Sequence, residues 1–562
     1  MFEKELISLA VLFFCVIIGT WMSSRFKQPT EIGLLLVGAI IGPNLLNLVN
    51  DQGMIELFIE LGAILLLFVI GLEFILPKLL HIGSKAIVFG IMKLGIIFFI
   101  SFEVALLLGL GKITALLIGL IFSFSSTVVI VKILEAKKLY HRDEMPLLIG
   151  VLLIEDIFGV IILSILSQSN TVGGLVGIFW NLTLAFIILG VSYFVMLKIA
   201  NPIISWLLKE TSDDSIPFLA LALCIGFGYL AMKLGLSPAI GAFLAGSIIA
   251  SYPNAKLFEH SMKPYTIMVT SLFFLSIGTL VNLKSLNSIA LYLPIFLLVI
   301  ILSRFIAIRF ISSLVANFQK DQVIFSSITL IAISEFSLLI AKSAQHFTTE
   351  IDLISLTAFL IFTTAYIMSF SINHVSKVST LIDYSLPKKW SNEPKTLSNY
   401  VTYLVNELGN ENHHTKKFMY LLSRTLLCLL GMIVLLLGGI HYYSLLTQIN
   451  TYLFVIGVMT IASLLVFLSY LLYKKAEQLY SVLVVILSDY DSHQYRKSRY
   501  VVNNLLITLA LFTFAIYSPI IIVFTNASLW LNLIPVAILA FSIMKLMKIA
   551  HFIKFFQLRK AY

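Results

Sequence analysis

The chain has 562 residues, 59% of them apolar and only 12% charged, with 38 basic and 28 acidic side chains and a formal charge of +10. A soluble globular protein is about 45–50% apolar and about 25% charged. The low charge, with a mean hydropathy of +1.02, excludes a water-soluble enzyme, a disordered chain and a nucleic-acid binder. Each membrane span needs about 20 apolar residues, so the composition implies an all-α polytopic membrane protein, in which Lys and Arg of the loops report topology rather than nucleic acid.

Hydrophobic windows predict spans at about 6–24, 31–48, 54–76, 86–110, 113–135, 146–168, 172–198, 216–233, 237–251, 266–283, 287–316, 321–343 and 352–374. The first follows Met1-Phe2-Glu3-Lys4-Glu5 and runs into Trp21 and Arg25 without a small-residue cleavage site, so it reads as a span rather than a leader. A polar stretch, 376–418, then reads as a cytoplasmic linker. Beyond it, 419–562 forms a C-terminal region of unknown role with four more spans near 419–443, 450–473, 501–525 and 527–549, and 475–499 reads as an interfacial connector. Cys15, Cys224 and Cys428 lie in apolar runs with no metal-ligand spacing and read as buried small hydrophobes.

Loops after the odd-numbered spans carry most of the cations, among them Arg25, Lys27, Lys78, Lys137, Lys138, Arg142, Lys256 and Lys320, whereas those after even-numbered spans carry little beyond Lys112, Lys233 and Lys284. The positive-inside rule therefore places the N-terminus outside, and seventeen spans place the C-terminus in the cytoplasm. Two spans hold a polar cluster at mid-membrane: SFSSTVV (123–129) in the fifth and AISEFSLL (332–339) in the twelfth. They are seven spans apart and so run in opposite directions, the pattern of inverted repeats with broken helices at matching positions.

A charge at the bilayer centre costs about 2.5–3.5 kcal/mol on insertion scales and marks a functional site by default. Glu155 and Asp156, adjacent in LLIGVLLIEDIFGVIILSIL, are the foremost candidates, too deep to snorkel. Consecutive helical residues point about 100° apart, so one acid should face an aqueous pocket and the other a neighbouring helix. Arg304, midway along LPIFLLVIILSRFIAIRF, is the expected counter-charge; Glu335 sits mid-span beside Ser334 and Ser337. A purely structural ion-pair network is the alternative for Arg304 and Glu335. Glu73, near Pro77, is a candidate cavity residue or an interfacial one; Lys132 and Arg309 read as snorkelling, and His413 and His414 as solvated. Lys93 and Glu103, ten residues apart in the fourth span, have no assigned partner.

A carboxylate in such a pocket holds either a proton or a hard monovalent cation, but not both, and that competition is all an antiporter needs. Asp156, with hydroxyl and backbone oxygens from SSTVV, offers oxygen donors suited to Na⁺ or K⁺. No phosphate-cradling Gly-rich loop, HExxH or GxSxG is present, and neither an enzyme nor a resident cofactor is expected.

Seven ordered segments carry a resemblance: PTEIGLLLVGAIIGPNLL (29–46), LGAILLLFVIGLEF (61–74), SFSSTVVIVKIL (123–134), LLIGVLLIEDIFGV (147–160), LSPAIGAFLAGSIIA (236–250), LFFLSIGTLVNL (272–283) and ISEFSLLIA (333–341). Over 1–375 the chain resembles the monovalent cation/proton antiporter superfamily, in the branch with Kef-type potassium efflux systems and bacterial sodium/proton antiporters. The resemblance implies a 13-helix fold of two inverted six-helix repeats with crossed broken helices, a dimerisation domain, a homodimer, and elevator-like alternating access. Asp156 matches the family's essential ion- and proton-carrying aspartate, Thr127 beside Ser126 the crossover of the first broken helix, Glu335 the acid of the second, and Arg304 the embedded basic residue proposed to pair with an acid. Glu155 departs from the pattern. Electrogenic sodium members have Asp there, electroneutral ones Asn and Kef-type members Gln, so a second carboxylate leans toward an electrogenic two-acid scheme. The soluble nucleotide-binding domain common after the membrane part of Kef-type proteins has no fingerprint here.

The expectation is thus a multi-pass plasma (inner) membrane antiporter of Na⁺ or K⁺ against H⁺, with the cation at Asp156 and membrane lipid, cations and protons as its partners. A sensor signalling through the C-terminal spans and an ion channel on the same scaffold are the alternatives.

Overall fold

The computed structural model describes residues 2–73, 83–167, 187–206, 215–282, 289–375, 416–425, 451–490 and 495–524, single positions within these excepted, and scattered residues elsewhere. In chain order the helices are α1 (Phe2–Arg25), α2 (Thr30–Ile41), α3 (Gln52–Glu73), α4 (Gly83–Leu107), α5 (Lys112–Ser123), α6 (Thr127–Ala136), α7 (Met145–Ser167), α8 (Ile187–Trp206), α9 (Ser215–Lys233), α10 (Pro238–Ala250), α11 (Ala255–Leu280), α12 (Tyr292–Ile311), α13 (Lys320–Thr329), α14 (Glu335–Ala344), α15 (Leu353–Ser371), α16 (Thr451–Tyr490) and α17 (Tyr495–Phe524). Among the described residues eight helices are long and apolar enough to cross a membrane, and α2, α5 and α10 are shorter apolar helices. The predicted spans at 113–135 and 321–343 are each two helices, α5 with α6 and α13 with α14.

The helices of the first 375 residues sort into two bundles. α1, α2 and α3 pack chiefly on α9, α10 and α11, with α8 joining through Tyr193 and Ile204. α4 to α7 pack chiefly on α12 to α15, and the two sets meet mainly where α10 touches α7 and where α15 touches α2 and α11. Lipid supplies no hydrophobic force between helices, so close approach and dispersion must hold the first bundle. Glycine pairs give that approach. A Cβ on Gly38 of α2 would stand 2.2 Å from the carbonyl oxygen of Leu275 in α11, and one on Gly278 would stand 2.5 Å from that of Leu35. Gly71 of α3 and Gly246 of α10 meet in the same way, each 2.1–2.2 Å short of a facing carbonyl oxygen if it carried a Cβ.

α16 is one helix of 40 residues, about 60 Å long, twice the hydrocarbon core of about 30 Å. The first part of the expected interfacial connector is therefore a continuation of the span before it. Past the span, Val482, Leu483, Val484, Ile486 and Leu487 pack on Val501 and Val502 of α17 and on Phe418 and Leu421. The same cluster touches Leu314, in the π turn Ser312–Ala316 that ends α12, and α17 leans on α4 and α5. The expected spans at 419–443 and 527–549 lie largely outside the described residues, as does the linker to residue 415 apart from single positions. Cys15 and Cys224 are buried as expected; Cys428 is half-buried.

Candidate functional site

The site forms where the two broken spans cross. Ser126 caps α6 by accepting from the Val129 amide at 3.1 Å, and Ser334 caps α14 by accepting from the Phe336 amide at 3.1 Å. A serine at the N-cap favours an extended residue just before a helix, and in each span it follows extended backbone that interrupts the helical ladder. Ser125 and Ile333 form an antiparallel bridge, with the Ser126 amide donating to Ala332 O (3.0 Å) and the Ser334 amide to Phe124 O (3.3 Å).

Non-helical backbone at membrane depth needs partners within the protein, and they can be traced atom by atom. The Ser125 amide donates to Glu155 Oε2 at 2.8 Å, and the Ile333 amide to Thr364 Oγ1 at 3.2 Å. Ser337 Oγ donates to Ile121 O at 2.6 Å and Ser125 Oγ to Leu330 O at 3.0 Å. The ends of α5 and α13 carry the partial negative charge of a helix C-terminus, and two fully buried cations sit there. Arg304 donates from Nε to Leu330 O at 2.5 Å and from Nη2 to Phe124 O at 3.1 Å, so one guanidinium holds both breaks. Lys93 of α4 donates to Ser125 Oγ at 2.6 Å and Ser123 O at 3.4 Å, and forms an ion pair with Glu155 Oε1 at 2.5 Å.

Acids occupy the opposite ends. Asp156, buried, accepts a hydrogen bond from Thr127 Oγ1 at 3.0 Å on the first turn of α6, and Thr127 itself is half-buried. Glu335, the first residue of α14, accepts from Ser126 Oγ at 2.8 Å. Carboxylates at positive helix N-termini and cations at negative C-termini are the arrangement the backbone dipoles favour. Asp156 and the Thr127 hydroxyl are hard oxygen donors of the kind that suits a monovalent cation. No cluster of three or more His, Cys, Asp or Glu able to hold a metal ion occurs among the described residues.

Asp156, Thr127, Ser126, Glu335, Glu155 and Arg304 are thus gathered at one crossing, and Glu155, near enough to Arg304 for an electrostatic interaction, has its direct ion pair with Lys93. Ion pairs form at Lys93–Glu155, Lys132–Glu31 and Arg142–Glu144, and among the described residues Arg304 has no carboxylate within ion-pair distance. The physical reason is the double break. Carbonyls freed from two helix ends converge on Arg304, and its planar fork serves both, while the Lys93 ammonium lies against the carboxylate. Lys93 is the residue the sequence reading left without a role. A mid-span lysine signals a buried partner, but the partner follows only from knowing that α4 lies against α7.

Lys132, expected to snorkel, reaches from α6 to Glu31 of α2 and so spans the two bundles. Glu31 is buried, and its Oε2 has no hydrogen-bond partner. Glu103 lies away from these contacts, with a buried Oε1 that likewise has no partner. Glu73 closes α3 with a side chain outside the described residues, and His413 and His414 lie outside them too.

The transmembrane sodium/hydrogen exchanger family matches residues 10–378. K(+) efflux antiporter 5 of Arabidopsis thaliana is 27% identical over 352 residues, which are 61% of this chain and 62% of that protein. The probable Na(+)/H(+) antiporter GerT of Bacillus cereus is 28% identical over 306 residues, 53% of this chain and 80% of GerT. The chain thus spans less than two thirds of the plant relative's length. The structure of the sodium proton antiporter MjNhaP1 of Methanocaldococcus jannaschii shares the fold, with a TM-score of 0.50, 15% identity, and coverage of 66% of this chain and 98% of that one.

Proposed function

The chain belongs to the sodium/hydrogen exchanger family, a family of multi-pass membrane transporters and not of enzymes, and on that premise we propose that it exchanges Na⁺ or K⁺ for H⁺ at Asp156. The observation that carries this reading is the buried Asp156 carboxylate on the Thr127 hydroxyl, at the N-terminus that a helix break opens in mid-membrane. Cation and proton compete for that carboxylate, so binding one requires release of the other, and either gradient drives the other through shared occupancy. Relatives named for potassium and for sodium leave both cations as substrates to test.

The broken helices cross inside the second bundle, so the site moves with that bundle. Elevator-type alternating access follows: the second bundle slides against the first and exposes Asp156 to either side. The first bundle, held by glycine crossings, serves as the fixed part and as the surface of a homodimer. The N-terminus lies outside and the C-terminus in the cytoplasm of a plasma (inner) membrane, as the loop charges require.

The test is proton flux in proteoliposomes with an imposed pH gradient, challenged in turn with Na⁺, K⁺ and Li⁺. Wild type should collapse the gradient for at least one ion, and Asp156→Asn should match empty vesicles. Well-reconstituted wild type that ignores every cation would remove the transport reading and return the sensor reading.

A further inference from the structure

Two adjacent acids suggest two carriers, but their surroundings divide them. Glu155 is fully buried with both oxygens occupied, Oε1 by the Lys93 ammonium at 2.5 Å and Oε2 by the Ser125 amide at 2.8 Å. Lys93 is fully buried as well, and its three donors go to Glu155, Ser125 Oγ and Ser123 O. Asp156, one position and about 100° further round the helix, instead meets a half-buried threonine on α6.

We propose that Lys93 is a positioning residue that holds Glu155 in a fixed ion pair, so that of the two adjacent acids only Asp156 carries cation and proton and the exchange is one for one. The proposal rests on the antiport reading above and sets its charge balance. A proton on Glu155 would cancel the charge that pairs with Lys93, and a cation would have to displace the ammonium, which with the Glu155–Ser125 amide contact fastens the broken end of α5. Displacement would also strand a lysine ammonium in the dry interior, where an unpaired charge is strongly disfavoured. The pair is neutral as a unit, so it travels with the bundle without adding to the charge moved.

The other charged groups near the pair lie on α12, α14 and α6, and the Nη1 of Arg304 is buried without a hydrogen-bond partner. Arg304 of α12 faces Glu155 with its guanidinium tied to the carbonyls of Leu330 and Phe124. Glu335 of α14 is held by Ser126 Oγ at the head of α6. Lys132 of α6 is engaged with Glu31 of α2. One exchanging carboxylate gives a site with the same net charge whether it holds a cation or a proton. The cycle is then electroneutral, contrary to what the sequence pattern alone favours.

The experiment measures cation and proton flux together in proteoliposomes, with and without a membrane potential set by a permeant organic ion. It compares wild type, Asp156→Asn and the double variant Lys93→Met with Glu155→Gln, which removes both charges and keeps an acceptor for the Ser125 amide. Wild type should move one proton per cation with no response to the potential. The exchange that the double variant retains should run at the same ratio, whatever its rate, and Asp156→Asn should lose exchange. Two protons per cation in wild type, falling to one in the double variant, would overturn the proposal and make Glu155 a carrier. The wild-type ratio needs no substitution, so the proposal stays testable if the double variant does not fold. Silence of wild type toward all cations is a different result, which removes the antiport reading itself.

Discussion

The two bundles lie in the same solvent and are held by different means. In the first, Gly38 with Gly278 and Gly71 with Gly246 let backbones touch, and Glu31 is the one buried charge of its described residues. In the second, Lys93, Glu155, Asp156, Arg304 and Glu335 are all buried, and two spans are broken where they cross. A bundle that only needs to pack can be built from small residues and dispersion. A bundle that must hold an ion has to carry polar groups into hydrocarbon, and the structure shows the condition under which that is tolerated. Lys93 and Arg304 sit at helix C-termini, Asp156 and Glu335 sit at N-termini, Glu155 is neutralised by Lys93, and the extended backbone is tied by side chains from α4, α7, α12 and α15.

That contrast can be broken most severely at Asp156. Asp156→Asn keeps the acceptor for Thr127 and leaves packing intact, so the thermal midpoint should stay near wild type while cation-dependent proton flux disappears. An equal loss of folding and flux would mean that Asp156 is a structural carboxylate like Glu155.

Next in size are the single substitutions of the ion pair. Removing one partner of a buried pair typically costs about 3–5 kcal/mol, whereas replacing both is often close to neutral. Lys93→Met and Glu155→Gln should each lower the midpoint more than the double variant does. A double variant as unstable as the sum of the singles would show that the two residues do not act as a pair.

In the first bundle, Gly278→Val places a branched side chain against the Leu35 carbonyl, and overpacking of this kind costs about 1–3 kcal/mol. The midpoint should fall and the ratio of protons to cations should not. A changed ratio would show that the glycine crossings shape the site as well as the scaffold.

The smallest effect belongs to the contact between bundles. The Lys132 side chain is 46% exposed, and exposed ion pairs contribute about 0–1 kcal/mol. The double variant Lys132→Met with Glu31→Gln, which leaves no buried carboxylate stranded, should barely move the midpoint but should alter the rate of exchange, because this contact must break whenever the bundles slide. An unchanged rate would separate this pair from the moving interface.

Much of this was legible in the sequence. The spans follow from apolar runs, and the serine clusters at 123–126 and 334–337 mark both breaks, since serine both caps a helix and offers its backbone another partner. Glu155, Asp156, Arg304 and Glu335 stand out because a charge in hydrocarbon needs a reason. The pairing among them was hidden. Which cation meets Glu155 depends on α4 lying beside α7, and which groups meet Arg304 depends on two breaks brought together from positions about 200 residues apart in sequence. The extension of α16 past the span was obscured for a similar reason. A helix leaving the membrane keeps its hydrogen bonds while its outward face turns polar, and hydropathy registers only the change of face.

The most direct measurement of competition at Asp156 needs no vesicle. Purified protein in weakly buffered detergent is titrated with NaCl or KCl, with choline chloride as the control, and released protons are read at a pH electrode. The account predicts proton release that saturates with cation in wild type, persists in the Lys93→Met, Glu155→Gln double variant, and is absent in Asp156→Asn. Proton release that survives Asp156→Asn, or cation binding that releases no proton, would contradict it.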